Sequence, residues 1–167
     1  MNIKKKLNEY LDLYLKPVER GTLFRSSKMM GSGSISLDME CAEASISDYI
    51  NDNKDEDTFQ KKLFKLIDER ELKDSDVYNK VDIDRRLFSK IRSNTDYHPS
   101  KETVILLGLA LELNESEIED LLKSASYSLP MNTTFDLIIR FCFKEHIYNV
   151  RNVNELLYDH NCKLLNE

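Results

Sequence analysis

The stretch VDIDRRLFSKIRS, residues 81–93, concentrates positive charge in an acidic chain. Four basic residues fall within eight positions of it, whereas the whole chain of 167 residues has 30 Asp and Glu against 24 Lys and Arg. Asp84 is a residue type that caps helices, so we expect a helix to follow it. At about 100° per residue, the apolar side chains of that helix fall on one side and the basic and hydroxyl side chains on the other. The segment is therefore predicted to be an amphipathic helix with one basic face.

The two faces of this helix predict different roles. Leu87, Phe88 and Ile91 form the apolar side and should be buried. Arginine can bond guanine through two hydrogen bonds, and serine or lysine can hold phosphates. The basic side is therefore a candidate DNA-binding surface, with phosphate contacts from Arg92 and Lys101 at its margin. The candidate DNA-binding residues are Arg85, Arg86, Ser89, Lys90, Arg92, Ser93 and Lys101.

The flanking sequence, residues 57–128, carries several helix signals in close succession. Two helix signals precede the basic residues. The first is TFQKKLFKLIDERELK, with apolar residues on one side, and the second is the short SDVYNKV. SKETVILLGLALEL begins at Ser100, and NESEIEDLLKSASY begins at Asn114, both residue types that cap helices. Only four Gly and three Pro occur in the chain, which favours helices over a turn-rich β fold. These signals predict an all-α fold.

A helix, a short helix, a tight turn and a further helix are the elements of a helix-turn-helix. Here their residues resemble the XRE family, the Cro and lambda-repressor type of DNA-binding domain, over about residues 59–123. FSKI at 88–91 matches the core of the family's recognition helix, and HPS at 98–100 is similar to its Asn-Pro-Ser stretch. The resemblance implies a helical bundle of the lambda-repressor type. It also implies sequence-specific binding of double-stranded DNA in transcriptional regulation.

Three positions depart from the family's pattern. Asp74 stands where the family has a Gln that touches the DNA backbone, and a carboxylate repels phosphate. Tyr78 replaces a small Ala at the crossing of the two helices, and Asp82 replaces the Gly of the turn. From residue 73 to residue 93 there are six basic and four acidic residues. The alternative is therefore a non-catalytic adaptor, or an antitoxin-like partner binder, that uses this fold to bind protein, and RNA binding is a third reading.

Residues 1–25 are predicted to be an amphipathic interaction arm. Its apolar residues recur every four positions, as on one side of a helix that Pro17 stops. This helix either docks on the bundle or binds a protein partner or a second copy of the chain. The candidate partner-binding residues are Ile3, Leu7, Leu11 and Leu15.

Two further parts complete the predicted organisation. Residues 26–56 contain GSGS and NDNKDED and are predicted to be a flexible linker. Residues 129–167 carry two apolar helix patterns and are predicted to form a C-terminal helical extension packed on the bundle, because such stripes do not stay exposed.

Other classes of function find little support in the sequence. No nucleophile, base and orienting group occur together, so we expect no enzyme, no cofactor and no small-molecule substrate. Cys142, His146, His160 and Cys162 have spacings that resemble a zinc site. Cys142 also continues an apolar stripe, so we expect a buried thiol and no metal.

The expected location of the protein is cytoplasmic. No apolar run reaches the roughly 18 residues that a transmembrane helix needs. The N-terminus places Asn8, Glu9 and Asp12 where a signal peptide needs an apolar stretch. Three cysteines without a CxxC motif are expected to be free thiols in a reducing compartment.

Overall fold

The computed structural model describes residues 2–15 and 58–166, and in these ranges it contains helices and no strand. The predicted all-α class is therefore confirmed for the described residues. Within them, no helix is long and apolar enough to cross a membrane. The predicted linker, residues 26–56, lies outside the described residues, as does the part of the predicted arm beyond Leu15. The helices are α1 Ile3–Leu15, α2 Phe59–Glu69, α3 Asp74–Lys80, α4 Arg85–Ser93, α5 Lys101–Ala110, α6 Glu115–Ser124, α7 Thr134–Lys144 and α8 Val150–Asp159.

The helices begin at residues whose side chains satisfy the first backbone N–H groups. Asp84 accepts the backbone N–H of Arg86 at 2.6 Å, and Ser100 accepts that of the third residue after it at 3.2 Å. Asn114 and Glu117 form a reciprocal capping box, with each side chain accepting the other's backbone N–H at 3.0 and 2.9 Å. The three caps expected from the sequence therefore fix the starts of α4, α5 and α6.

α5 is the central helix of the bundle. Every residue from Val104 to Ala110 is buried, so α5 has no solvent-facing stripe over these positions. Gly108 permits the closest approach, because a Cβ there would meet Ile118 Cδ1 of α6 and lie 3.2 Å from Phe143 Cζ of α7. α5 also packs against α3, and this contact supports the helices on which the candidate interface is built.

α1 packs on α7 within the same compact unit as α2–α8. Leu7 is fully buried and Leu11 is 6% exposed, whereas Ile3 and Leu15 are exposed. Of the two alternatives for the arm, the structure shows the first, because α1 docks on the chain's own bundle. Leu7 and Leu11 are therefore core residues, which corrects the expectation that all four apolar residues form one partner-binding surface. Partner binding through Ile3 and Leu15 stays a prediction.

Charged side chains add to the attachment of α1. Lys4 lies 2.7 Å from Glu155 and 2.8 Å from Asp159, both on α8. Lys6 pairs with Glu145 directly after α7. These contacts run from α1 to both C-terminal helices, while α7 also packs against α6. The N-terminal helix and the C-terminal helices thus form one side of the bundle.

Candidate nucleic-acid interface

α3 and α4 are joined by a tight turn that fixes their relative position. Asp82 has a φ of 54°, the left-handed conformation that favours glycine. The N–H of Ile83 donates to the carbonyl of Tyr78 at 2.9 Å, which is the hydrogen bond that spans six residues in a Schellman ending of α3. Val81 and Ile83 are buried on either side of Asp82. The aspartate therefore adopts the conformation that the turn requires, with its side chain exposed to solvent.

The inner side of α4 is anchored by aromatic packing. Phe88 is 2% exposed and Ile91 is 1% exposed, as the helical period predicted, whereas Leu87 is only half-buried. The ring centroid of Phe88 lies 5.6 Å from that of Tyr78 and 6.1 Å from that of Phe64. Tyr78 therefore fills the helix crossing with an aromatic contact instead of a small side chain.

The outer side of α4 is cationic and exposed. The side chains of Arg85 and Arg86 have no hydrogen-bond or ion-pair partner in the described part of the chain. Lys90 Nζ lies 4.5 Å from the centroid of the Tyr97 ring, a cation–π contact that leaves its N–H groups open to other partners. The residues predicted to face the groove all lie exposed on α4, and they are Arg85, Arg86, Ser89, Lys90 and Ser93.

Arg92 has a different environment from the other cations of α4. Its guanidinium nitrogen Nη2 lies 2.6 Å from Asp74 Oδ1 at the start of α3. The same guanidinium lies 4.2 Å from the centroid of the Phe64 ring on α2. Arg92 is therefore already paired, and a phosphate would have to displace Asp74 to bind it. The sequence did not indicate this pair, because the two residues are eighteen positions apart.

Lys101 also differs from its expected role. Its Nζ lies 2.6 Å from Asp136 Oδ1, with only 24% of the lysine side chain and 6% of the aspartate side chain exposed. The Thr133 hydroxyl donates a further hydrogen bond to Asp136 Oδ2 at 2.6 Å. The ammonium group neutralises a buried carboxylate that belongs to α7. Lys101 therefore has a structural partner, and the expected phosphate contact stays a prediction.

A cleft of about 420 Å³ lies between the start of α3 and the outer side of α4. Its polar lining residues carry three cations, three hydroxyl groups and one carboxylate. Cations and hydroxyl groups in this arrangement are suited to a phosphate group, since both donate hydrogen bonds to its oxygens. The cleft was not foreseen from the sequence. The charged and hydroxyl-bearing lining residues are Lys73, Asp74, Ser75, Tyr78, Arg85, Ser89 and Arg92.

Exposed carboxylates also surround the basic face. Asp76 on α3, Asp82 in the turn and Asp84 at the start of α4 are all exposed. Asp84 is partly satisfied, because it accepts the backbone N–H of Arg86. The surface therefore has a cationic centre on α4 with acidic residues at its α3 edge.

The cysteine and histidine residues near the C-terminus have ordinary structural environments. Cys142 is fully buried, and burial raises the pKa of its thiol to about 12. His146 Nδ1 lies 2.8 Å from the Tyr148 hydroxyl, and His160 Nδ1 lies 2.8 Å from the Leu156 carbonyl. Among the residues that the structure describes, no three or more His, Cys, Asp or Glu residues are grouped as a metal site would need.

Comparisons of the chain with protein-family models, with curated proteins and with solved structures gave no significant match. The resemblance to the XRE family over residues 59–123 therefore stays a prediction. What the protein does has to be inferred from the chemistry of the α4 surface.

Proposed function

We propose that this protein binds double-stranded DNA sequence-specifically through the outer side of α4 and acts as a transcriptional regulator. One observation carries the proposal. α4 buries Phe88 and Ile91 and exposes Arg85, Arg86 and Lys90 on its other side. An α-helix fits the major groove of B-DNA, where arginine and lysine bond the acceptor atoms of guanine.

The attachment of α4 supports this role, because base contacts need side chains held in a fixed geometry. Asp84 caps the first turn of the helix. The Gln60 side-chain amide of α2 donates to the carbonyl of Ile91 at 3.1 Å, in the last turn. Both ends of α4 are thus held by hydrogen bonds, and its middle is held by the aromatic packing of Phe88.

The exposed residues divide into two kinds of contact. Arg86 lies near the centre of the outer side and is the residue proposed to contact a base edge. Ser89 and Ser93 lie on the same side, and their hydroxyl groups suit either base or phosphate oxygens. Arg85 also lines the cleft toward α3, which favours a backbone contact for it.

The acidic surroundings shape the expected binding. A chain with a net charge of −6 has no general attraction to nucleic acid, and exposed carboxylates beside α4 repel phosphates. Nonspecific DNA should therefore bind weakly, since that binding is almost entirely electrostatic. A correct site adds base contacts that a random duplex lacks, so the ratio of specific to nonspecific affinity should be large.

Selection of duplexes from a random pool by the wild-type protein tests the proposal. We expect the selected duplexes to share a short motif. In fluorescence anisotropy near physiological salt, a selected duplex should bind about 10³-fold or more tightly than a scrambled duplex of the same composition. Equal affinity for the two duplexes would refute sequence-specific binding.

A second candidate function is supported by the carboxylates of Asp76, Asp82 and Asp84. An acidic edge next to a cationic helix is also suited to a protein partner with basic groups, as in a non-catalytic adaptor. The two functions differ in the selection experiment, because an adaptor would enrich no motif. In that case Arg86→Ala should weaken a protein complex and leave DNA binding weak and unchanged.

A further inference from the structure

An ion pair connects the start of α3 to the last turn of α4 across the cleft. Asp74 Oδ1 lies 2.6 Å from Arg92 Nη2, with 35% of the aspartate side chain and 52% of the arginine side chain exposed. Both residues line the cleft, together with Lys73 and Arg85. The carboxylate is thus the only anionic side chain among the described residues that line this cleft.

The geometry points to Asp74 as an intramolecular competitor for a DNA phosphate, whose carboxylate holds Arg92 in the place where the backbone would otherwise bind. The inference rests on the proposed function and adds a residue that tunes affinity at the same surface. A carboxylate and a phosphate both accept hydrogen bonds from a guanidinium group. They therefore compete for the same N–H groups of Arg92.

The solvent exposure of the Asp74–Arg92 pair determines whether a DNA phosphate can displace the carboxylate. Ion pairs that are this open to solvent are weak, so an arriving phosphate can displace Asp74 from Arg92. The displaced carboxylate stays on α3, close to the phosphate, and repels it. The attraction between Arg92 and the phosphate is then largely offset by this repulsion. In the wild-type protein, Arg92 should consequently add little to DNA affinity despite its position on α4.

The other lining groups of the cleft attract a phosphate, and the negative charge of Asp74 opposes that attraction. Lys73 and Arg85 bring two more cations to the cleft, and Ser75 and Ser89 bring two hydroxyl groups. Once the carboxylate is replaced by a neutral amide, these groups and Arg92 form a site that contains no anionic acceptor among its described lining residues. Removing the one negative charge should therefore strengthen phosphate binding in a cleft whose described lining already carries more cations than carboxylates.

The test uses the full chain and one duplex selected by the wild-type protein. Asp74→Asn keeps the size of the side chain and removes its charge, and it should tighten binding about tenfold. Because Arg92 then neutralises one more phosphate, the slope of log affinity against log salt should become steeper by about one. Asp76→Asn is the matched control, since Asp76 lies in the same turn of α3 and is not paired with a cation among the described residues.

Arg92→Gln supplies the second half of the test and keeps a long side chain next to Phe64. In the wild-type background it should change affinity less than about threefold. In the Asp74→Asn background it should cancel most of the gain, so the two substitutions are strongly non-additive. Circular dichroism of each variant confirms that the helices remain folded.

Three results would overturn the inference, and they differ in what else they refute. Equal gains from Asp74→Asn and Asp76→Asn would mean a general charge effect. Additive effects of Asp74→Asn and Arg92→Gln would mean that the two residues do not compete for one phosphate. In both cases the wild type still prefers its selected duplex, so the proposed function stands. If neither the wild type nor Asp74→Asn prefers any duplex to a scrambled one, the proposed function fails and the competitor role fails with it.

Discussion

Lys101 Nζ lies 2.6 Å from Asp136 Oδ1, and this pair ties the first turn of α5 to the first turn of α7. Among the described residues, Asp136 is the only buried residue with a charged side chain. A buried carboxylate that loses its cation is costly, because water does not replace the lost partner. Lys101→Ala should therefore lower the free energy of unfolding by about 3 kcal/mol. Urea denaturation followed by circular dichroism measures this change.

Lys163→Ala is the matched control for that experiment. Lys163 also reaches the first turn of α5, where its Nζ lies 3.3 Å from Glu102, but 59% of its side chain is exposed. An exposed pair of this kind contributes at most about 1 kcal/mol. If Lys101→Ala proved as mild as Lys163→Ala and instead weakened DNA binding at every sequence, Lys101 would be the phosphate contact that its sequence position suggested.

The turn between α3 and α4 gives two neighbouring aspartates effects of opposite sign. Asp82→Gly should raise the free energy of unfolding by roughly 0.5–1 kcal/mol, because glycine adopts the φ of 54° without the clash of a Cβ. Asp84→Ala should lower it by about 1 kcal/mol, because α4 loses its cap. Chemical denaturation of both variants checks the pair. A loss of stability in Asp82→Gly would show that the aspartate side chain has a role in the turn beyond backbone conformation.

The docked position of α1 makes Leu7 a core residue. Leu7→Ala should cost about 2–5 kcal/mol of stability, since the side chain is fully buried and leaves a cavity. Leu13→Ala, on the same helix with 72% of its surface exposed, should stay within about 0.5 kcal/mol of the wild type. Thermal unfolding and size-exclusion chromatography are measured together. If Leu7→Ala left stability unchanged and lowered the oligomeric mass, α1 would be an arm that binds another chain.

Cys142 should be chemically inert in the folded protein. Burial raises the pKa of its thiol to about 12, so the reactive thiolate is scarce at pH 8. The pKa of this thiol is higher in the folded than in the unfolded state. The contribution of the buried neutral thiol to the free energy of unfolding is therefore complete below the ordinary thiol pKa and is lost as pH rises toward 12. Iodoacetamide at pH 8 followed by mass spectrometry should label Cys142 only after denaturation. Labelling of Cys142 at the same rate with and without denaturant would contradict its burial.

Local features of the fold could be predicted because they depend on neighbours in the sequence. Asp84, Ser100 and Asn114 were expected as caps from residue type alone, and each accepts a backbone N–H at a helix start. The burial of Phe88 and Ile91 follows from the helical period. These rules act over a few residues, so one sequence contains the information they need.

Contacts between helices could not be predicted in the same way. Asp74 and Arg92 meet only because α3 and α4 cross, and Lys101 meets Asp136 across 35 positions of sequence. The leucine stripe of α1 is the same whether its own bundle or another chain covers it. The period of the sequence identified the cationic side of α4, whereas the packing of the helices decided which of its cations are paired within the described part of the chain.

Arg86, on the outer side of α4, is the residue proposed to read a base pair. The most direct test compares Arg86→Ala with Arg151→Ala on the selected duplex and on all its single-base variants, near physiological salt. Arg151 is the control, because it is also exposed but lies on α8. Arg86→Ala should cost about 1–3 kcal/mol of binding free energy and abolish the preference at one base pair, while Arg151→Ala changes neither. Equal affinities for the two variants, with every base preference of the wild type retained in Arg86→Ala, would contradict the claim.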